Sequence, residues 1–151
     1  MDMFHTSPKK RVAKEEKIQL QICRYLKLQY PSVTFLCDIA AGLNLGFKWA
    51  SATKISRSSR GLPDIYIFKK SNLFCGLAIE LKSGKGSIYK KDGTLRSQKK
   101  QVKRKGIVVG EYDHLQEQDM AHQKLRGEGW KAEFSEGFEQ TRKLIDIYLA
   151  D

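Results

Sequence analysis

The stretch GLPDIYIFKKSNLFCGLAIELKSGKG, residues Gly61 to Gly86, decides how this chain folds. Two apolar runs, DIYIF (64–68) and LFCGLAIELK (73–82), flank a polar turn, KKSN (69–72), and predict two strands joined as a hairpin. Strand side chains alternate between faces, so Leu77, Ile79 and Leu81 share one face and Ala78, Glu80 and Lys82 the other. The midpoint of positions 64 and 80 is Asn72, inside the turn. Antiparallel pairing about that point sets Asp64 opposite or diagonal to Glu80, with Cβ atoms roughly 4.5–5.5 Å apart.

Two carboxylates held so close repel one another, and stability alone does not favour the arrangement. A divalent cation between them relieves the repulsion. A few hard oxygen ligands suit Mg²⁺ or Mn²⁺, with waters and a substrate phosphate completing the shell. Lys82, beside Glu80, can orient or deprotonate an attacking water or stabilise developing charge. The set fits hydrolysis of a phosphodiester. The plain alternative is a pair of solvated charges on an edge strand with an aspartate in a turn, because the pattern is short and common.

Outward from the hairpin, the apolar positions Ile18, Ile22, Tyr25, Leu26 and Tyr30 have helical spacing from Ala13 to Tyr30, and Pro31 ends the run. VTFLCDIAA (33–41) predicts a buried strand. The Gly-, Ser- and base-rich residues 42–61 predict a long loop with room for a short helix. Beyond the hairpin, GIVVGEY (106–112) predicts a short strand and HLQEQDMAHQKLRGEG (114–129) a helix, with Leu115, Met120 or Ala121, and Leu125 inward. WKAEFSEG (130–137) predicts a last strand. FEQTRKLIDIYLA (138–150) predicts a closing helix with Phe138, Ile145, Tyr148 and Leu149 inward. The order gives one mixed α/β domain over residues 1–151, a central sheet flanked by helices, with residues 1–11 as a flexible arm.

The 151 residues carry 28 Lys and Arg against 17 Asp and Glu, a net charge of +11. That balance points to a polyanionic partner, nucleic acid before an anionic membrane. No apolar run approaches the ~18 residues of a membrane span, and no apolar core of a secretory signal precedes the first helix. Cys23, Cys37 and Cys75 are scattered and odd in number, as expected for free thiols in a reducing cytoplasm. With three histidines they form no zinc pattern.

Pro63–Asp64 followed by Glu80–Leu81–Lys82 resembles the signature of the PD-(D/E)XK nuclease superfamily. More narrowly, the chain resembles the stand-alone, phage-type virus-type replication-repair nuclease (VRR-NUC) domain. EEKIQLQICRYL resembles that family's opening helix, RGLPDIYIF its first catalytic strand and GLAIELK its second. The stretch from His114 to Leu149 resembles the glutamine-bearing helix, last strand and closing helix. The order and spacing carry the likeness more than any single motif.

The resemblance implies a restriction-endonuclease-like fold and a Mg²⁺- or Mn²⁺-dependent endodeoxyribonuclease. It implies Asp64, Glu80 and the Leu81 carbonyl as metal ligands, with Glu15 joining directly or through a water. Lys82 becomes the catalytic lysine, and Gln118 sits beside the site with His114 near it. Bottom-up, Glu15 shares a helix face with Ile18 and Ile22, and Glu16 is the alternative. Gln118, without the resemblance, is a surface glutamine. Relatives of this kind are homodimers acting on branched DNA such as Holliday junctions. The rival readings are a non-catalytic nucleic-acid-binding module and an RNA nuclease.

The chain departs from the compact pattern between Lys82 and Gln118. From Lys82 to Lys105 it has ten Lys or Arg against one acid, Asp92, a net +9. Residues 83–113 are therefore expected to form a protruding basic insertion with little reason to pack in a core. Lys85, Lys90, Lys91, Arg96, Lys99, Lys100, Lys103, Arg104 and Lys105 are its candidate DNA contacts, with Tyr89 available for base stacking.

Overall fold

The structure is a computed structural model that describes residues 14–38, 52, 55–84, 86 and 88–151. The expected N-terminal arm, the end of the first predicted strand (39–41), most of the 42–61 loop and Lys85 lie outside the described residues.

The order of elements is α1 (Lys14–Gln29), β1 (Phe35–Cys37), β2 (Ile65–Ile67), β3 (Leu77–Lys82), β4 (Lys99–Arg104), β5 (Ile107–Asp113), α2 (His114–Gly127), β6 (Lys131–Glu136) and α3 (Gly137–Ala150). Four strands form a mixed sheet in the order β1-β2-β3-β6. The first two pairings are antiparallel, and β3 runs parallel to β6. The parallel pair needs a long crossover, and the basic segment with α2 supplies it.

One face of this sheet carries the main core. Ile22 and Leu26 of α1, Ile65 and Ile67 of β2, Leu77, Ile79 and Leu81 of β3, and Ile145 and Tyr148 of α3 pack together. Each such aliphatic contributes on the order of 1.5–3 kcal/mol by leaving water. Two tyrosines near the end of the first helix, Tyr25 and Tyr30, donate to Asp146 Oδ1 at 2.5 and 2.8 Å and tie α1 to α3. The alternation in β3 then sends Glu80 and Lys82 to the opposite face, beneath α2.

The elements differ from expectation in three places, and on α2 one of two open choices is settled. Of the strand expected at 33–41, the described part Phe35–Cys37 is an edge strand and not a buried one, and Leu36 is largely exposed, because among the described residues β1 has a strand neighbour only on the β2 side. The second hairpin strand starts at Leu77 rather than Leu73. Ser71 Oγ accepts from the backbone N–H groups of Leu73 and Phe74, and these residues turn before the strand begins. On α2 the inward choice falls to Ala121, with Met120 exposed. The basic segment is also anchored: Ile88, backed by Leu95, packs against Leu115 and Phe134 in a second small core. Two apolar residues suffice to dock this stretch, despite its charge.

Residues 99–113 form a separate two-stranded sheet. Its loop is the two-residue turn Lys105–Gly106, both with positive φ (49° and 81°), the backbone of a tight hairpin whose second position favours glycine. Its base is pinned by Asp113, the N-cap of α2. This carboxylate accepts from the backbone of Leu115 and Gln116 and from Gln98 N, while Ser97 Oγ donates to it. Among the described residues no helix is long and apolar enough to cross a membrane.

Candidate active site

The hairpin register is Ile65↔Ile79, Tyr66↔Ala78 and Ile67↔Leu77. Each pair centres on position 72, so Asp64, one residue before β2, comes opposite Glu80. Its backbone is fixed on the other side by Asp38, whose N–H donates to the Asp64 carbonyl at 2.7 Å. The Asp64 carboxylate accepts from Leu81 N at 2.8 Å, which locks it against the neck of β3.

Glu80 and Lys82 are 4% and 6% exposed. Lys82 Nζ lies 3.1 Å from Glu80 Oε1, and Gln118 Nε2 of α2 donates to the same oxygen. Gln118 also lies 3.3 Å from His114 Nε2, one turn earlier on α2. The glutamine is thus part of the polar cluster and not a surface residue, being 3% exposed.

Gly61 brings α2 to this place. Its φ is +73°, and a Cβ there would lie 2.8 Å from the Gln118 backbone nitrogen and from the Glu117 carbonyl carbon. The missing side chain lets the loop that carries Pro63–Asp64 touch the backbone of the helix that carries Gln118.

These groups line one cleft of about 470 Å³. Its walls include Glu15, Glu16, Asp64, Glu80, Lys82, Lys100, His114 and Gln118. Glu15, exposed in the first turn of α1, accepts from Ser83 N at 3.3 Å and Ser83 Oγ at 3.5 Å, just past the end of β3. Glu16 lines the same cleft, so both glutamates weighed from the sequence border it.

Burial pushes the Glu80 carboxyl up to about 8, with the Asp64 charge as the next cause and Lys82 opposing both. Burial likewise raises Asp64 to about 6, opposed first by the Leu81 N–H and then by Lys82. His114 is pushed down to about 4 by burial and then by the ammonium charges of Lys100 and Lys82, and is neutral at pH 7. Burial thus disfavours the charged form of both carboxyls, and a further positive charge beside them would favour it.

Whether the donors present suit a divalent ion can be judged from their chemistry. Among the described residues no three His, Cys, Asp or Glu side chains converge on one point. The protein's offer is two carboxylates, with Glu15 and Glu16 at the rim. One or two carboxylates completed by waters and a substrate phosphate is the habit of Mg²⁺. The buried Gln118 Oε1 has no hydrogen-bond partner, and an ordered water can supply one. The residues fit a hard divalent cation.

Gln19, the glutamine four after Glu15 in the stretch that resembles the family's opening helix, is buried on α1 and donates to the Asp38 carbonyl at 3.3 Å. Other residues at the cleft carried no signal strong enough to single them out in the sequence. Arg57 pairs with the Asp38 carboxylate at 2.5 Å. Arg60 lies over the Tyr112 ring at 5.1 Å, joining the Gly61 loop to the base of the hairpin. Arg57 and Arg60 belong to a loop that reads only as basic and serine-rich. Tyr112 reads as the end of an ordinary strand.

Of the candidate DNA-binding cations among the described residues, Lys100 alone lines the cleft. Lys99 pairs with Glu111 at 3.2 Å across the hairpin. Arg96 Nε donates to the Tyr89 carbonyl, in the small loop that also carries Lys90 and Lys91. Lys103, Arg104 and Lys105 stand exposed at the hairpin tip.

No protein-family model matches this chain, and a search of curated proteins finds no match. A solved structure described as a VRR_NUC domain protein is similar to it, with a TM-score of 0.57 at 16% identity, over 93% of this chain and 91% of the other. The chain therefore shares the fold of a VRR_NUC domain protein, a mixed sheet with helices on both faces.

Proposed function

We propose that this protein is a metal-dependent endonuclease that hydrolyses phosphodiester bonds in DNA, with branched duplexes as preferred substrates. The observation that carries the proposal is the convergence of Asp64, Glu80, Lys82 and Gln118 in one cleft, on a fold shared with a VRR_NUC domain protein.

In this reading Asp64, Glu80 and the Leu81 carbonyl hold a Mg²⁺ or Mn²⁺ ion, with Glu15 reached directly or through a water. The ion, when bound, supplies a more acidic water and neutralises phosphate charge. The chain's own groups do the rest. Lys82 is held by Glu80 at the cleft and orients the attacking water or takes its proton. Gln118 bridges Glu80 and His114 and keeps the Glu80 carboxylate from turning away. The Leu81 N–H fixes one Asp64 oxygen and leaves the other for the cation. Lys100 at the cleft wall, with the remaining cations of residues 85–105, draws in the phosphate backbone.

A single domain supplies one such cleft, so paired cuts across a symmetrical junction call for two copies of the chain. The protein acts in the cytoplasm, among reduced thiols. Incubation with linear, single-stranded, flapped and four-way-junction DNA, and with RNA, tests the reading. Cutting of branched DNA with Mg²⁺ or Mn²⁺ and none with chelator is expected. Cutting of RNA alone would move the substrate class, and binding without cutting in any metal would reduce the chain to a binding module.

A further inference from the structure

The tip of the β4–β5 hairpin joins two properties that an ordinary solvated loop does not combine. Ile107, Val108 and Val109 are consecutive and exposed, by 69%, 48% and 54%. Lys103, Arg104 and Lys105 lie directly across or beside them, in the register Lys103↔Val108 and Arg104↔Ile107. No acid occurs from Lys100 to Gly110. Three exposed aliphatics on a β-strand edge invite aggregation unless something covers them. A second copy of the same tip is a poor cover, because the two cationic ends repel. A partner with anionic groups at its rim and flat apolar surfaces inside fits both properties, and nucleic acid with an exposed base step is such a partner.

We propose that this tip is a wedge that enters DNA at an interrupted or branched base step, its aliphatics against the unstacked bases and its cations on the flanking phosphates. The proposal rests on the nuclease reading for its DNA and adds how the branch is engaged. Apolar wedges that separate base steps work in this way, exchanging stacking for contact with protein.

The hairpin is built to transmit such a contact. Its tip is a tight turn, a bulge between Val102 and Lys103 sharpens its twist, and its base is fixed through Asp113 to α2. Lys100 and Tyr112, paired at that base, line the catalytic cleft. From Lys100 to Lys105 the strand advances about 16 Å at ~3.3 Å per residue. One DNA strand carries a phosphate every ~3.4 Å along the axis. The wedge and the cleft are therefore spaced to set cutting within about five nucleotides of the opened step.

Permanganate oxidises thymines only where they are unstacked, and reads the wedge without any cleavage. The probes are a four-way junction and a continuous duplex, with thymines placed through the branch region, at saturating protein with chelator. Wild-type protein is expected to raise reactivity several-fold at the branch and not in the duplex. The triple variant Ile107→Ser, Val108→Ser, Val109→Ser is expected to lose that rise. The variant Ile107→Leu, Val109→Leu, which keeps the tip apolar, is expected to retain it. A triple variant with the full rise, or bound wild type with no rise, overturns the wedge. So does a triple variant that turns a dimer into a monomer in sedimentation, which would assign the tip to a second copy. Cleavage in Mg²⁺ without unstacking removes the wedge and leaves the nuclease. Unstacking without cleavage in any metal supports the wedge and removes the nuclease.

Discussion

The molecule holds its charge in two opposite ways. At the neck of β3, Glu80 and Lys82 are almost fully buried and touch each other, and Glu80 also accepts from Gln118. Along the β4–β5 hairpin nearly every charged group is exposed, and in the Lys99–Glu111 ion pair there each side chain is half or more in water. Buried charge is expensive and is kept only where position matters. Exposed charge costs little, contributes little to folding and acts through its sum. On the proposed reading, the same residue types serve chemistry in one region and attraction in the other. Gly61 and Asp113 are the joints that keep the two regions in register.

The sharpest break of this contrast is to remove a buried carboxylate. Asp64→Ala or Glu80→Ala is expected to lower cleavage by on the order of 10²–10³, the scale of removing a principal electrostatic group from an active site. DNA binding should persist, because the basic surface is untouched. Mg²⁺ should raise the melting temperature of wild type and not of a variant carrying both Asp64→Ala and Glu80→Ala, since a ligand stabilises only the state that binds it. Single-turnover cleavage, filter binding and thermal melts measure these. Full activity in either folded variant would falsify the mechanism. Lys82→Ala belongs with this set, and its effect should fall on turnover rather than affinity.

The converse break is made on the exposed region. Neutralising Lys99, Lys100, Lys103, Arg104 and Lys105 together should weaken DNA binding. The log–log salt slope should flatten by about 0.9 for each duplex phosphate that the protein no longer neutralises. Lys99 should matter least, because Glu111 already neutralises it. The melting temperature should hardly move. An unchanged slope would return the hairpin to a solvated loop, whatever the cleavage rate.

A smaller change probes the joint. Gly61→Ala places a Cβ 2.8 Å from backbone atoms of Glu117 and Gln118, at a φ of +73° that alanine rarely adopts. The expected cost is about 1–3 kcal/mol of stability, with a fall in turnover as Gln118 moves from Glu80. An alanine variant with wild-type melting and turnover would show that α2 and the Asp64 loop are not coupled.

That joint also shows where the sequence stops being informative. The hairpin register was legible, because two apolar runs and one polar turn leave few pairings, and all centre on Asn72. The alternation that put Glu80 and Lys82 on one face was legible for the same reason, as were the inward positions of α1 and α3. The approach of Gly61 to Gln118 joins residues 57 positions apart, with no periodicity to announce it. The Arg57–Asp38 pair and the Arg60–Tyr112 contact are equally non-local. Ile88 and Leu95 were hidden by the charge around them, although they dock the basic segment to Leu115 and Phe134. The strand at β1 was legible but its edge position was not, since burial is set by neighbours that the strand's own residues do not specify.

The smallest expected effect concerns a buried titratable group outside both the candidate cation site and the hairpin. His122 on α2 is fully buried, its ring 4.4 Å from Phe134 of β6, and neither ring nitrogen has a hydrogen-bond partner. Its pKa is pushed down to about 4 by burial, then by Arg126, with Asp119 opposing and Lys82 adding a little. The unfolded chain takes up this proton near 6.5, so below that pH the unfolded state binds more protons than the folded one. Stability from this group is complete above about 6.5 and is lost as pH falls toward 4. At pH 5 the loss is about 2 kcal/mol relative to pH 8. His122→Leu should remove that part of the acid sensitivity and leave cleavage at neutral pH nearly unchanged. Denaturant melts of both proteins at pH 5 and pH 8 measure it. Equal pH dependence in the two would mean that His122 is protonated in the fold and has found a partner there.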